Sequence, residues 1–134
     1  MSDKLPQNIE VPISAGELID KLAILEIKVE RIADPKSRAN VVRERDALTR
    51  VRDRAIGTSP ALDRLASDLK AVNGELWQIE DELRDCERRG DFGPSFIALA
   101  RAVYRTNDRR AALKREINTL LGSALIEEKS YTRY

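Results

Sequence analysis

The chain contains no histidine, and that absence removes a large share of enzyme chemistry. Without an imidazole there is no Ser-His or Cys-His nucleophile pair, no histidine general base and no histidine-ligated zinc or di-iron site. Carboxylate, lysine, arginine and tyrosine chemistry stay open. Cysteine occurs once, at Cys86, so no disulfide can form within the chain, as suits a reducing cytosol. Aromatic residues are only 4% against 35% charged residues, a balance found in long helices rather than β-sandwiches. Net charge is scarce too, because 24 Lys+Arg against 23 Asp+Glu leaves +1. Near-neutrality removes the global electrostatic case for nucleic acid or an anionic membrane as partner, leaving only local patches. No apolar run approaches membrane-spanning length, and Met1–Pro6 holds no hydrophobic signal core. The expected location is the cytoplasm, and no cofactor or metal is implied.

What the chain has in quantity is helical rhythm. From Leu62 to Cys86 apolar residues recur at spacings of three and four: Leu62, Leu65, Leu69, Val72, Leu76, Ile79, Leu83, Cys86. A second run passes from Phe96 through Leu99, Val103, Thr106, Arg110, Leu113, Ile117 and Leu120 to Ala124. Such spacing lines one face of a helix and requires a partner to cover it. The fold expected is all-α, an antiparallel bundle of about four long helices with coiled-coil-like heptad packing.

Residues 1–13 read as an extended lead-in, 14–121 as one helical-bundle domain, and 122–134 as a short turn and polar tail. Helix one starts with Ser14 and Glu17 as a capping box and runs to about Ala33, stopped by Asp34-Pro35. Its seam is Leu18, Leu22, Leu25, Val29 and Ile32, but Ile19, Ala23, Ile24 and Ile27 add apolar surface on other sides. A helix greasy on more than one face is either central in its bundle or covered by a second subunit, as in a homodimer. Helix two spans about Ser37 to Ile56, with seam Val41, Glu44, Leu48, Val51 and Ala55. Helix three begins at Ser59-Pro60 and ends at Arg88-Arg89-Gly90. Asn73-Gly74 interrupts it in phase, so one continuous helix is expected, with Gly74 permitting a close approach. Helix four runs from about Ser95 to Leu121, before Gly122-Ser123.

Two charged residues, Glu44 and Arg110, occupy seam positions. If neighbouring helices are antiparallel and straight, Glu44 lies opposite Lys28 and level with Asn73, and Asn73 lies level with Arg110. A guanidinium in a helical core needs a carboxylate or an aromatic face, which makes Glu44 the natural partner and Trp77 a cation–π neighbour. One reading is a sealed ion pair that fixes helix register. The other is a small-anion pocket in which Arg110, Lys28 and Lys114 supply charge while Asn73 and Asn107 donate hydrogen bonds.

Weaker patterns stand beside these. Glu17-x-x-Asp20 with Glu80-Asp81 resembles a Mg²⁺ carboxylate set, but Glu17 already serves as a cap and the doubled-glutamate motif of all-α pyrophosphatases is missing. Arg38, Arg45 and Arg52 recur every seven residues and could meet phosphates, though Glu44, Asp46 and Asp53 among them favour a solvated, salt-bridged flank. Cys86, in a core register, reads as a small buried hydrophobe.

Longer segments carry a resemblance. Gly16–Leu22, Leu25–Lys28, Leu76–Asp81, Asp91–Pro94, Ala102–Ala111 and Gly122–Tyr131 together are similar to a family of small uncharacterised bacterial all-helical proteins, a domain of unknown function. That resemblance implies a helical fold and supplies no catalytic residues. The function expected is a non-enzymatic interaction or accessory module that binds a protein partner or itself. The alternative is a small-anion, nucleotide or nucleotide-sugar phosphate binder built on the polar layer, with nucleic-acid binding ranked last.

Overall fold

The computed structural model describes residues 7–134, so the N-terminal part of the expected lead-in, residues 1–6, lies outside the described residues. Residues 7–13 carry no helix or strand. Four helices follow: α1 (Ala15–Arg31), α2 (Pro35–Ala55), α3 (Pro60–Arg89) and α4 (Pro94–Leu121).

Each boundary has a local cause. Ser14 Oγ accepts from the Glu17 N–H at 3.1 Å, and Ser59 Oγ accepts likewise from Leu62. Asp34 caps α2 through the Ser37 N–H at 2.9 Å, so the residue expected only to end α1 also starts α2. Pro35, Pro60 and Pro94 stand in first turns, where a missing N–H costs nothing. Gly90 and Gly122 end α3 and α4 at φ of +66° and +63°, a left-handed conformation that glycine adopts without strain.

α3 and α4 pack along their lengths and α1 touches all three other helices, whereas α2 meets α1 alone. That arrangement explains the excess of apolar surface on α1. It is the central helix, and Ile19, Ala23 and Ile27 are buried within the chain without a second subunit. α3 and α4, like α1 and α2, pair as antiparallel neighbours. Ile19, Leu62, Leu69 and Ile117 form the core, with Ile56, Leu65, Leu113 and Leu121 packed around them. Full burial of each such side chain contributes about 1.5–3 kcal/mol.

Two expectations need correction. Helix three is continuous through Gly74, yet a Cβ there would meet nothing within 4 Å, so the glycine makes no close approach. The glycine that does is Gly16, whose Cβ would strike the Lys114 carbonyl and lie 2.9 Å from Asn118 Oδ1. On α4 the apolar register fails at its end, where Leu120 is 45% exposed and Leu121 packs on the core instead. A straight helix drifts by about 20° per heptad, enough to exchange neighbours over the run from Phe96. None of the helices is long and apolar enough to cross a membrane.

Candidate functional site

Arg110 enters the bundle from α4 and meets a carboxylate, but the carboxylate is Asp20 of α1. Arg110 Nε donates to Asp20 Oδ1 at 3.0 Å, and a second guanidinium nitrogen donates to Oδ2. Asn73 of α3 adds a third bond, Nδ2 to Asp20 Oδ1 at 2.8 Å, and also donates to the Leu69 carbonyl. Asp20 is 0% exposed. One buried carboxylate thus ties the three helices α1, α3 and α4 together at a single level. The hydrogen bonds it donates to Asp20, outweighing the cost of burial, raise the Arg110 guanidinium further above its already high ordinary value.

One turn along α4 a second cluster forms. Lys114 Nζ lies 2.7 Å from Glu17 Oε2 and 2.6 Å from Glu127 Oε2. Burial alone would lower this ammonium, but the bonds it donates to Glu127 and Glu17 prevail and leave it raised. Glu17 therefore faces Lys114, and only half of the expected capping box is made. Beyond it, Asn118 Oδ1 accepts from the Gly16 N–H at 2.7 Å and Ser123 Oγ from the Ala15 N–H at 3.3 Å, so α4 and its exit cap the start of α1.

Residues 122–134 double back along α4. Besides the Glu127 contact, Arg115 holds Glu128 at 2.9 Å, and the Tyr134 ring lies 4.9 Å from that of Tyr104. Hydrogen bonding to Lys114, against burial, holds the Glu127 carboxyl below its usual range. A depressed value in the folded state means that this contact stabilises at neutral pH and is lost as pH falls through the lowered value. As pH falls through that lowered value the Glu127 anchor of the tail is therefore expected to release. NMR resonances of Glu127–Lys129 should then move toward random-coil positions, and Glu127→Gln should show the same shifts at pH 7.

Alongside the Asp20 layer an open groove of about 620 Å³ runs between α1, α3 and α4. Ile24 and Ile27 form one wall, with Leu76 and Trp77 on the other. Asn73, Asn107 and Arg110 provide polar groups, and Glu80, Asp81 and Arg84 complete the lining. Glu80 and Arg84 pair with each other.

The sequence-derived set of seven therefore divides. Asn73, Trp77, Asn107 and Arg110 are brought together at the groove, and Lys114 sits in the neighbouring ion-pair cluster. Glu44 is exposed and far from the layer, because α2 touches neither α3 nor α4 and turns Val41, Arg45, Leu48 and Arg52 toward α1. The Glu44–Arg110 pair is thus replaced by Asp20–Arg110. Lys28 lies about 12 Å along α1 from Asp20; it is half-buried and makes no ion pair among the described residues. Of the carboxylates considered for Mg²⁺, Glu17 and Asp20 are bonded to Lys114 and Arg110 and Glu80 to Arg84, while Asp81 lines the groove. Arg45 and Arg52 are half-buried beside Asp46 and Asp53, as a salt-bridged flank. Cys86 is buried.

Asp20 is the residue that the seam argument missed. Its signal was present: Gly16, Asp20, Ala23 and Ile27 recur at three and four on α1, so Asp20 is a lone charge in a second buried stripe.

A family model described as a family of unknown function (DUF6165) matches residues 9–134. No curated protein and no solved structure matches the chain.

Proposed function

We propose, for a chain that belongs to the DUF6165 family of unknown function, a non-enzymatic role as a helical binding module whose groove receives part of a partner protein. The observation that carries this reading is the state of the charges around the groove. Arg110 is answered by Asp20, Lys114 by Glu17 and Glu127, and Arg84 by Glu80. None of these three cations offers an uncompensated charge to a small anion. What the groove does offer is Ile24, Leu76 and Trp77, partly open to solvent, beside amide groups at Asn73 and Asn107. Apolar surface with a few convergent polar groups suits a side chain of a partner inserted between helices. A bacterial cytoplasm is the setting of this reading, in keeping with the single buried thiol of Cys86.

Site-specific crosslinking tests it. A photoreactive residue at Asp81, on the groove, is expected to capture a discrete protein adduct in cells, and Leu76→Asp should abolish that adduct. The same probe at the exposed Arg64 should capture none. Adducts equally strong at both positions, or none at the groove, would remove the proposal. The purified protein should also show no rise in melting temperature with phosphate or nucleotides, because every cation of the layer is compensated. Sedimentation of the purified chain separates a foreign partner from a second copy.

A further inference from the structure

α2 packs on α1 and on no other helix, so most of its circumference faces solvent. Its outward side carries Lys36, Asn40, Arg43, Ala47, Arg50 and Arg54, spaced by four and three and therefore aligned in one stripe. Lys36, Arg43, Arg50 and Arg54 are exposed and form no ion pair among the described residues; Arg43 donates only to Asn40 Oδ1, at 3.1 Å. The acids of the helix are turned away from them. Arg45 holds Asp46 at 3.1 Å, Arg52 stands 3.7 Å from Asp53, and Glu44 projects about 100° round the helix from Arg43. α2 thus bears Lys36 and six arginines against three carboxylates, an excess of four positive charges on a chain whose total is only +1.

We infer that this stripe is a docking surface for an acidic helix of a partner protein. Three of its four cations are arginine, whose planar fork matches a carboxylate. Lys36, Arg43 and Arg50 repeat every seventh residue, about 10.5 Å along the axis, which is the interval at which a second helix presents glutamates in a heptad register. Asn40 and Ala47 between them are small enough to let that helix lie close. A bilayer is a poor match, since the stripe holds no large apolar residue to insert. A nucleic-acid groove is a poor match as well. Its phosphate walls would close on both flanks of α2, where Glu44 stands on one side and Asp46 and Asp53 on the other. A single rod resting on the stripe meets only the cations. This surface lies apart from the groove, and the inference stands independently of it.

The test uses a labelled, alanine-based helical peptide with glutamates at alternating spacings of three and four. Binding to the full chain at low salt is expected, weakening steeply as salt is added. The doubly reversed variant Arg43→Glu/Arg50→Glu should lose about tenfold or more in affinity while circular dichroism stays unchanged, since both positions are exposed. A peptide with lysine in place of those glutamates should bind that variant and not the parent. A scrambled peptide of the same composition should bind at least several-fold more weakly than the patterned one. Equal binding of the scrambled peptide, failure of the charge-exchanged pair, no binding at all, or tighter binding of a 20-base-pair duplex DNA would each overturn the inference.

Discussion

Replacing Arg110 with methionine is expected to lower the unfolding free energy by about 3–5 kcal/mol, the usual cost of stripping one partner from a buried ion pair. The magnitude rests on Asp20 rather than on Arg110. The arginine keeps 27% of its side chain exposed, whereas Asp20 has 0%, so the carboxylate has no water to fall back on. Methionine fills much of the volume of the arginine stem, which keeps the cavity contribution small. What remains is a charge held by Asn73 alone. Arg110→Lys should fall between the two, restoring the charge without the two-pronged bond. Urea unfolding followed by circular dichroism reads these differences directly. A loss below about 1 kcal/mol would place the pair among solvated surface bridges instead.

The same substitution at two glycines should give effects of opposite sign. Gly16→Ala drives a methyl group into the Lys114 carbonyl and to 2.9 Å from Asn118 Oδ1. The atoms it meets include backbone, which cannot rotate aside. α1 and α4 must separate, weakening the 2.7 Å bond from the Gly16 N–H to Asn118. A cost of about 3 kcal/mol is expected, at the upper end for overpacking. Gly74→Ala, in the middle of α3 with open space around its Cα, should instead stabilise by about 0.5–1 kcal/mol through helix propensity. Thermal melts of the two variants beside the parent suffice; destabilisation by both would mean that Gly74 has a packing role.

Helix number and limits were legible because they are local. Ser14, Ser59, Gly90 and Gly122 act within one turn of themselves, and the run Leu62–Cys86 announces its buried face through spacing alone. Arg110 was legible as an interior charge for the same reason. Its partner was not, because partner choice depends on which helices touch. Glu44 suits Arg110 only if α2 packs on α3; because α2 rests on α1 alone, an apolar-register position there faces water. Asp20 was hidden by the assumption of one seam per helix, which fails for a helix with three neighbours. Gly16 and Gly74 show the same division: a glycine in a helix is visible in sequence, but whether anything crowds it is a property of the packing.

A double-mutant cycle on Asp20→Asn and Arg110→Met measures most directly whether these two residues hold α1 and α4 in register. The account predicts a coupling of about 2 kcal/mol or more, with the double variant far less impaired than the two single losses added together. Losses that add to within about 0.5 kcal/mol would show two independent side chains, and would contradict the interior pair on which the fold and the groove beside it depend.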